Sequence, residues 1–236
     1  MNRILISIAL ICLIGMPPVV AGNDAGMRLV NAARMQIGKT VRYDPRYQSI
    51  QYPNGDLPMD RGVCTDVIVR AFRVALGLDL QMLVHEDMKR DFKKYPHNSG
   101  SGSPDKNIDH RRVINLRTYF DRRGWSIGVT NKADDYKPGD LVACIVPRDL
   151  PHIMIVSDKK TISGRPLVIH NIGAGTKEED RLFEFKLTAH YRIKSDEQAS
   201  SPDSVGRVDE IHRTSGMMLP PEGKTATSAW GIFLDI

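Results

Sequence analysis

Apolar residues recur at helical spacing through the first half of the chain and at strand spacing through the second. Asn23 or Asp24 can cap a first helix through Ile37, with Val30, Ala33 and Ile37 inward and Gly38 as the stop. A second helix starts at Cys64, where Val67, Ile68, Ala71, Phe72 and Ala75 share one face before Gly77. A third, over about Leu80–Lys94, turns Leu80, Leu83, Val84, Met88 and Phe92 inward. Asp109 caps a fourth, whose stripe is Val113, Leu116 and Phe120 and whose end is Gly124. From Trp125 the period becomes two. Strands are expected at Trp125–Val129, Leu141–Val146, His152–Ser157 and Leu167–Ile172, with one or two more within Leu182–Ile193. Helices followed by consecutive strands predict an α+β fold, with N-terminal helices packed on one side of an antiparallel β-sheet. Val41–Met59 and His97–Asn107 carry turn residues without apolar periodicity and read as loops.

The two ends change the picture. Arg3, the apolar run Ile4–Ile14, Pro17-Pro18 and the possible cleavage site Val19-Val20-Ala21 make residues 1–21 read as a signal peptide, an uncleaved anchor being the alternative. The run is short for a membrane span, so no stable membrane insertion is expected after cleavage, and the product is expected to be periplasmic or secreted. Residues 22–194 form the one expected folded domain. Residues 195–236 are a polar, Ser-, Asp-, Pro- and Gly-rich extension whose apolar end, Ala229–Leu234, can dock on the domain or on a partner. The chain carries a net charge of +5, or +4 once Arg3 leaves with the signal, and the basic residues are scattered. That excess suits an anionic polymer. Without a basic tract or an aromatic stacking motif it does not argue for nucleic acid.

Candidate chemistry centres on Cys64, in the first turn of its helix, where free N–H groups and the helix dipole favour a thiolate. His152 and His170 lie in expected strands; if those strands pair as a hairpin, the imidazoles approach each other. Cys64 would then attack a carbonyl, His152 would move its proton, and His170 would orient His152. This chemistry requires no metal or organic cofactor.

Gly-Val-Cys64-Thr-Asp-Val-Ile-Val-Arg-Ala-Phe resembles the cysteine motif of NlpC-type cell-wall peptidases, which have a papain-like fold. Pro138-Gly-Asp-Leu-Val followed by His152-Ile-Met-Ile-Val resembles that family's histidine strand pair, and Val168-Ile-His-Asn its third-residue strand. Together with Asn107-Ile-Asp-His-Arg-Arg-Val and His190-Tyr-Arg-Ile, these motifs look like an uncharacterised exported bacterial branch of that superfamily, over roughly residues 25–194. The family's Cys-Ser-Gly is Cys64-Thr65-Asp66 here. The resemblance implies a peptidoglycan or muropeptide substrate cut after γ-D-glutamate, before a diamino acid. It also places Tyr43 near the oxyanion, where its phenol either donates to that charge or packs a loop.

Other residues carry two readings each. Asp66 is a favourable charge at a helix start or a specificity residue. Asp109 and Arg111 belong to a dense polar cluster in which Arg111 or Arg112 can grip a substrate carboxylate, or simply pair on the surface. His190 competes with His170 as third member, while His85, His97 and His212 read as surface residues. A zinc site drawn from Cys64, His152, His170 and either His190 or Cys144 lacks any close-spaced ligand pair. A Cys64–Cys144 disulfide is the other structural alternative. On the same fold, an acyltransferase or thioesterase, or a non-catalytic wall- or partner-binding protein, remains a rival function.

Overall fold

The computed structural model describes residues 24–96 and 102–194, so the signal segment, the capping side chains at 23 and 24, His97, and the C-terminal extension with His212 lie outside the described residues. Helices α1 (Asp24–Arg34), α2 (Cys64–Leu76), α3 (Leu80–Arg90) and α4 (Val113–Arg122) precede the main sheet. That sheet comprises β3 (Leu141–Val146), β4 (Leu150–Lys160), β5 (Pro166–Asn171), β6 (Thr176–Glu179) and β7 (Lys186–Tyr191), in the order β6-β5-β4-β3-β7 with every neighbouring pair antiparallel. The α+β class follows as the sequence predicts. A separate two-residue parallel ladder joins β1 (Arg42–Tyr43) to β2 (Arg61–Gly62) within the long loop between α1 and α2.

The helices cover one face of the sheet. Leu141, Ala143, Ile153, Ile155 and Ile169 share a core with Val67, Ile68 and Phe72 of α2 and Leu116 and Phe120 of α4. Trp125 stacks on Phe120 with ring centroids 5.2 Å apart. That burial explains why Trp125–Val129 is not a strand: only Ser126 bridges to Tyr191, while Trp125 sinks into the aromatic core. Val142, Cys144, Met154, Val156 and Val168 point to the other face, under Tyr136 and Leu182. With both faces buried, β3 shows an apolar run rather than alternation.

Other boundaries shift for local reasons. α1 stops at Arg34 and continues as turns, short of the expected Ile37. α3 stops at Arg90, because Asp91 leaves helical geometry before a separate short turn at Phe92–Lys94. Asp109 does not cap α4: Asp109–Arg111 form their own tight turn and Arg112 holds the cap position. β6 escaped the pattern altogether because Thr-Lys-Glu-Glu has no apolar alternation, as suits an edge strand that discourages further pairing.

α2 is the element that positions the site. Gly77, at φ 67°, closes it with a left-handed turn whose N–H reaches Arg73 O at 3.1 Å. Its buried Arg70 donates to Asp56 at 2.8 Å and to the carbonyls of Leu57 and Arg61, tying the long loop to the helix.

Candidate active site

Cys64 is the first residue of α2, and four contacts hold it there. The Val63 N–H donates to Asp66 Oδ2 at 2.7 Å, satisfying a free donor at the helix start. Thr65 Oγ1 donates to Arg111 O at 3.0 Å. Tyr43 pairs with Gly62 across the β1–β2 ladder. Asn171, at the end of β5, donates through Nδ2 to Gly62 O at 3.0 Å, so β5 grips the turn that presents the thiol. Gly62 allows a close approach: a Cβ there would lie 3.0 Å from both Cβ and Oδ2 of Asp66, so the Asp66 side chain would have to shift by about a few tenths of an ångström.

The sheet opens where α2 meets it. Paired positions between β4 and β5 run no further toward this end than Ile155 and Ile169, and Asn171 bonds to Gly62 instead of to β4. The start of α2 sits at this opening, with the backbone N–H groups of Ile153, Thr65 and Cys64 itself acting on the sulfur. His152, the residue before Ile153, projects toward the opposite face with Met154 and Val156.

Burial decides the charge of the thiol. Cys64 is 4% exposed, and desolvation pushes its pKa up to about 11, against those N–H groups and with help from the Asp66 charge. The resting group is therefore a thiol, which corrects the expectation that the helix dipole makes it a thiolate. His152 is also buried, and desolvation, reinforced by His170 and Arg181, drives it down to about 3. No hydrogen bond joins Cys64 to His152 in this resting arrangement. Both groups rest neutral near pH 7.

Behind His152 runs a relay. Its Nε2 lies 2.8 Å from Nδ1 of His170, whose Nε2 lies 3.1 Å from Oε1 of Glu179. A carboxylate only accepts, so His170 carries its proton on Nε2 and accepts at Nδ1 from His152 Nε2–H. That tautomer leaves the lone pair of His152 on Nδ1. Burial lowers the His170 pKa although Glu179 opposes it, so His170 too rests neutral near pH 7. Glu179 was not legible as a site residue: it lies on the edge strand that the apolar pattern missed, and its only sequence signal is an acidic run.

Tyr43 is 41% exposed and shares a cleft with Cys64; burial of its hydroxyl, together with the Cys64 and Asp66 charges, pushes its pKa up to about 12. It therefore stays a phenol and a donor. Asp66 and Arg111 meet each other rather than the cleft space: Arg111 Nε and Nη2 reach the two Asp66 oxygens at 3.0 and 3.1 Å. The remaining Arg111 donors go to Asp44 O at 2.9 Å and Arg46 O at 3.1 Å, fixing the loop that carries Tyr43. Asp109 stands apart, bonded to His85 Nδ1 at 2.9 Å, and burial raises its pKa against that partner. His85 is thus half-buried and tied to Asp109, rather than a free surface residue.

His190 lies on β7, two strands away from His152, and bonds to Asp140 at 2.8 Å and to Gly128 O at 3.1 Å. Its ring stacks on Tyr136, with centroids 4.2 Å apart. Cys64 and Cys144 are both free thiols; Cys144 sits opposite His152 across the β3–β4 ladder as a small core residue. Among the described residues, no three His, Cys, Asp or Glu side chains gather into a set able to hold a metal ion, and no helix is long and apolar enough to cross a membrane.

Residues 30–193 match the family model described as "Domain of unknown function (DUF1287)". The chain is 48% identical over 178 residues to "Uncharacterized protein YijF" of Escherichia coli (strain K12), covering 75% of this chain and 86% of that protein. A solved structure, "Structure of NlpC1 from Trichomonas vaginalis", aligns at 13% identity with a TM-score of 0.38, over 73% of this chain. The alignment spans 45% of that structure's own chain. The chain belongs to the DUF1287 family.

Proposed function

We propose that this protein is an exported cysteine hydrolase of papain-like type, acting in the periplasm or after secretion on an amide bond of peptidoglycan stem peptides. The observation that carries this reading is the placement of Cys64 at the start of α2, against Ile153, with the His152–His170–Glu179 relay behind the adjacent residue. The motif resemblance of Cys64, His152 and His170 supports the same chemistry, and the net charge of +4 left after removal of the signal segment suits an anionic wall.

Substrate entry brings a carbonyl carbon to the sulfur. The thiol proton passes to His152 Nδ1 as the S–C bond forms, and the oxyanion takes hydrogen bonds from the Cys64 N–H and the Tyr43 phenol. The C–N bond then breaks, and the imidazolium returns its proton to the departing amine. Water attacks the thioester with His152 again accepting a proton, releasing the acid and restoring the thiol.

Mass spectrometry of muropeptides incubated with the protein and with Cys64→Ala tests this. Fragments that appear only with the intact thiol support the hydrolase and identify the bond. Transfer of a labelled acyl group without fragments would replace it with an acyltransferase or thioesterase. A biological effect unchanged in Cys64→Ala would replace it with a binding protein.

A further inference from the structure

We propose that Arg181 is a positioning residue of the His152–His170–Glu179 relay: it shares one Glu179 oxygen with His170, so the carboxylate orients the imidazoles without drawing a proton onto them. Its bearing on catalysis rests on the hydrolase reading above; its hold on the histidine pair does not.

Three consecutive acids, Glu178, Glu179 and Asp180, lie on or beside β6. Each has its own cation. Glu178 accepts from Arg34 Nη2 at 2.6 Å and from Lys159 Nζ at 2.8 Å. Asp180 accepts from Arg165 Nε at 2.6 Å. Glu179 turns to the imidazoles instead, because alternation along β6 sends it to the face opposite Glu178. Its Oε1 accepts from His170 Nε2 at 3.1 Å and from Arg181 Nε at 2.9 Å.

Arg181 is held for that contact. Its own N–H donates to Glu179 O at 3.1 Å, and the Glu184 N–H donates to Arg181 O at 3.3 Å, so the backbone turns tightly here. The next residue, Leu182, is buried with Val142, Met154 and Val168, and Phe183 packs edge-on against Tyr136. The other side of the guanidinium reaches Glu184 Oε1 at 2.8 Å through Nη1. A side chain about one-third exposed is thus fixed at both ends of its planar fork.

Charge explains why the contact matters. A lone carboxylate against an imidazole favours the imidazolium, and a protonated pair could not accept the Cys64 proton. The charged groups that face the two rings are Glu179 and Lys177 on β6 and Arg181 just after it. Cys64 on α2 and Cys144 on β3 are thiols at pH 7. Burial does most to keep both histidines neutral, and Glu179 opposes it at His170. Lys177 counters Glu179 at His170, whereas Arg181 acts on both rings.

Nitrogen-15-labelled histidine in the full chain tests the electrostatics by NMR from pH 8 to 4, with signals assigned by His152→Gln and His170→Gln. At a given pH the protonated share of the pair should be about threefold higher in Arg181→Gln, an upward shift of about half a pKa unit. Arg181→Met, which keeps the packing of the stem, should show the same rise. Arg181→Lys should show a smaller one, because charge returns without the fork. Adding Glu179→Gln to Arg181→Gln should bring the share back near the unsubstituted value, since no carboxylate charge is left to compensate. A share unchanged in both Arg181→Gln and Arg181→Met overturns the proposal, even if their melts fall. So does a rise that persists when Glu179→Gln is added.

On a muropeptide that the protein cleaves, the acid limb of kcat/KM should move up by about half a pH unit in Arg181→Gln. A limb that stays in place while the titration moves overturns the catalytic role of Arg181. If no muropeptide is cleaved, the hydrolase reading fails, and the titration alone decides whether Arg181 holds the pair neutral.

Discussion

His152 Nε2 lies 2.8 Å from His170 Nδ1, with both rings buried, so the two imidazoles form one hydrogen-bonded unit across β4 and β5. Glu179 at the far end sets the direction of that unit.

Removing members of the relay should therefore cost activity in graded steps. His152→Ala is expected to abolish turnover, and His170→Ala to lower kcat by about a hundredfold or more. Glu179→Gln can still accept from His170 but carries no charge, so a loss of about tenfold in kcat is expected with KM little changed. Steady-state kinetics on the muropeptide that the protein cleaves provide the check. A KM effect without a kcat effect in Glu179→Gln would remove it from the relay.

Alkylation of Cys64 should report a thiol. Its pKa is pushed up to about 11, so the thiolate is scarce at pH 7 and increases about tenfold per pH unit below that value. The iodoacetamide rate at Cys64, followed by peptide mass spectrometry, should be low at pH 7 and climb steeply toward pH 10. A rate already flat from pH 6 upward would mean that a thiolate–imidazolium pair exists before substrate arrives.

Stability should fall on mild acidification. Burial drives His152 and His110 down to about 3 from an ordinary 6.5, so between those values each takes up a proton only when the chain unfolds. The unfolded state binds more protons there, and unfolding free energy drops as pH falls from 6.5 toward 3. At pH 5.5 each histidine contributes nearly one proton, about 1 kcal/mol per pH unit. Denaturant unfolding from pH 7 to 5 should show this slope, and His110→Gln should lower the proton uptake by about one. An unchanged slope in that variant would place the protonation elsewhere.

The Asp66–Arg111 pair should matter to stability more than to chemistry. Both side chains are buried, so Arg111→Ala leaves an uncompensated charge and removes the grip on the Asp44 and Arg46 carbonyls. A loss of about 3 kcal/mol is expected. For a domain of this size that is roughly a 10 °C drop in Tm, measurable by calorimetry. A melt within about 2 °C of the unsubstituted protein would mean that the pair is not a structural anchor.

The chain order of helices and strands, and the position of Cys64 at the head of α2, were legible because they depend on local periodicity and on single residues such as Gly77. The His152 and His170 strands were likewise legible as β-branched runs. Glu179 was hidden because an edge strand needs no apolar pattern, and His85 read as surface because its partner Asp109 is 24 residues away. The polar cluster around Arg111 was visible, but its pairing with Asp66 was not.

By itself, the sequence determined the α+β class, the first residue of the site helix, and which two strands carry the paired histidines. Neighbouring residues impose those features on one another through side-chain spacing and backbone preference. Only the tertiary structure decided that Cys64 rests as a thiol, that His190 belongs to Asp140, and that Arg111 is bound to Asp66. Each of those depends on which groups lose water and which partners reach them, and both follow from packing between segments far apart in the chain.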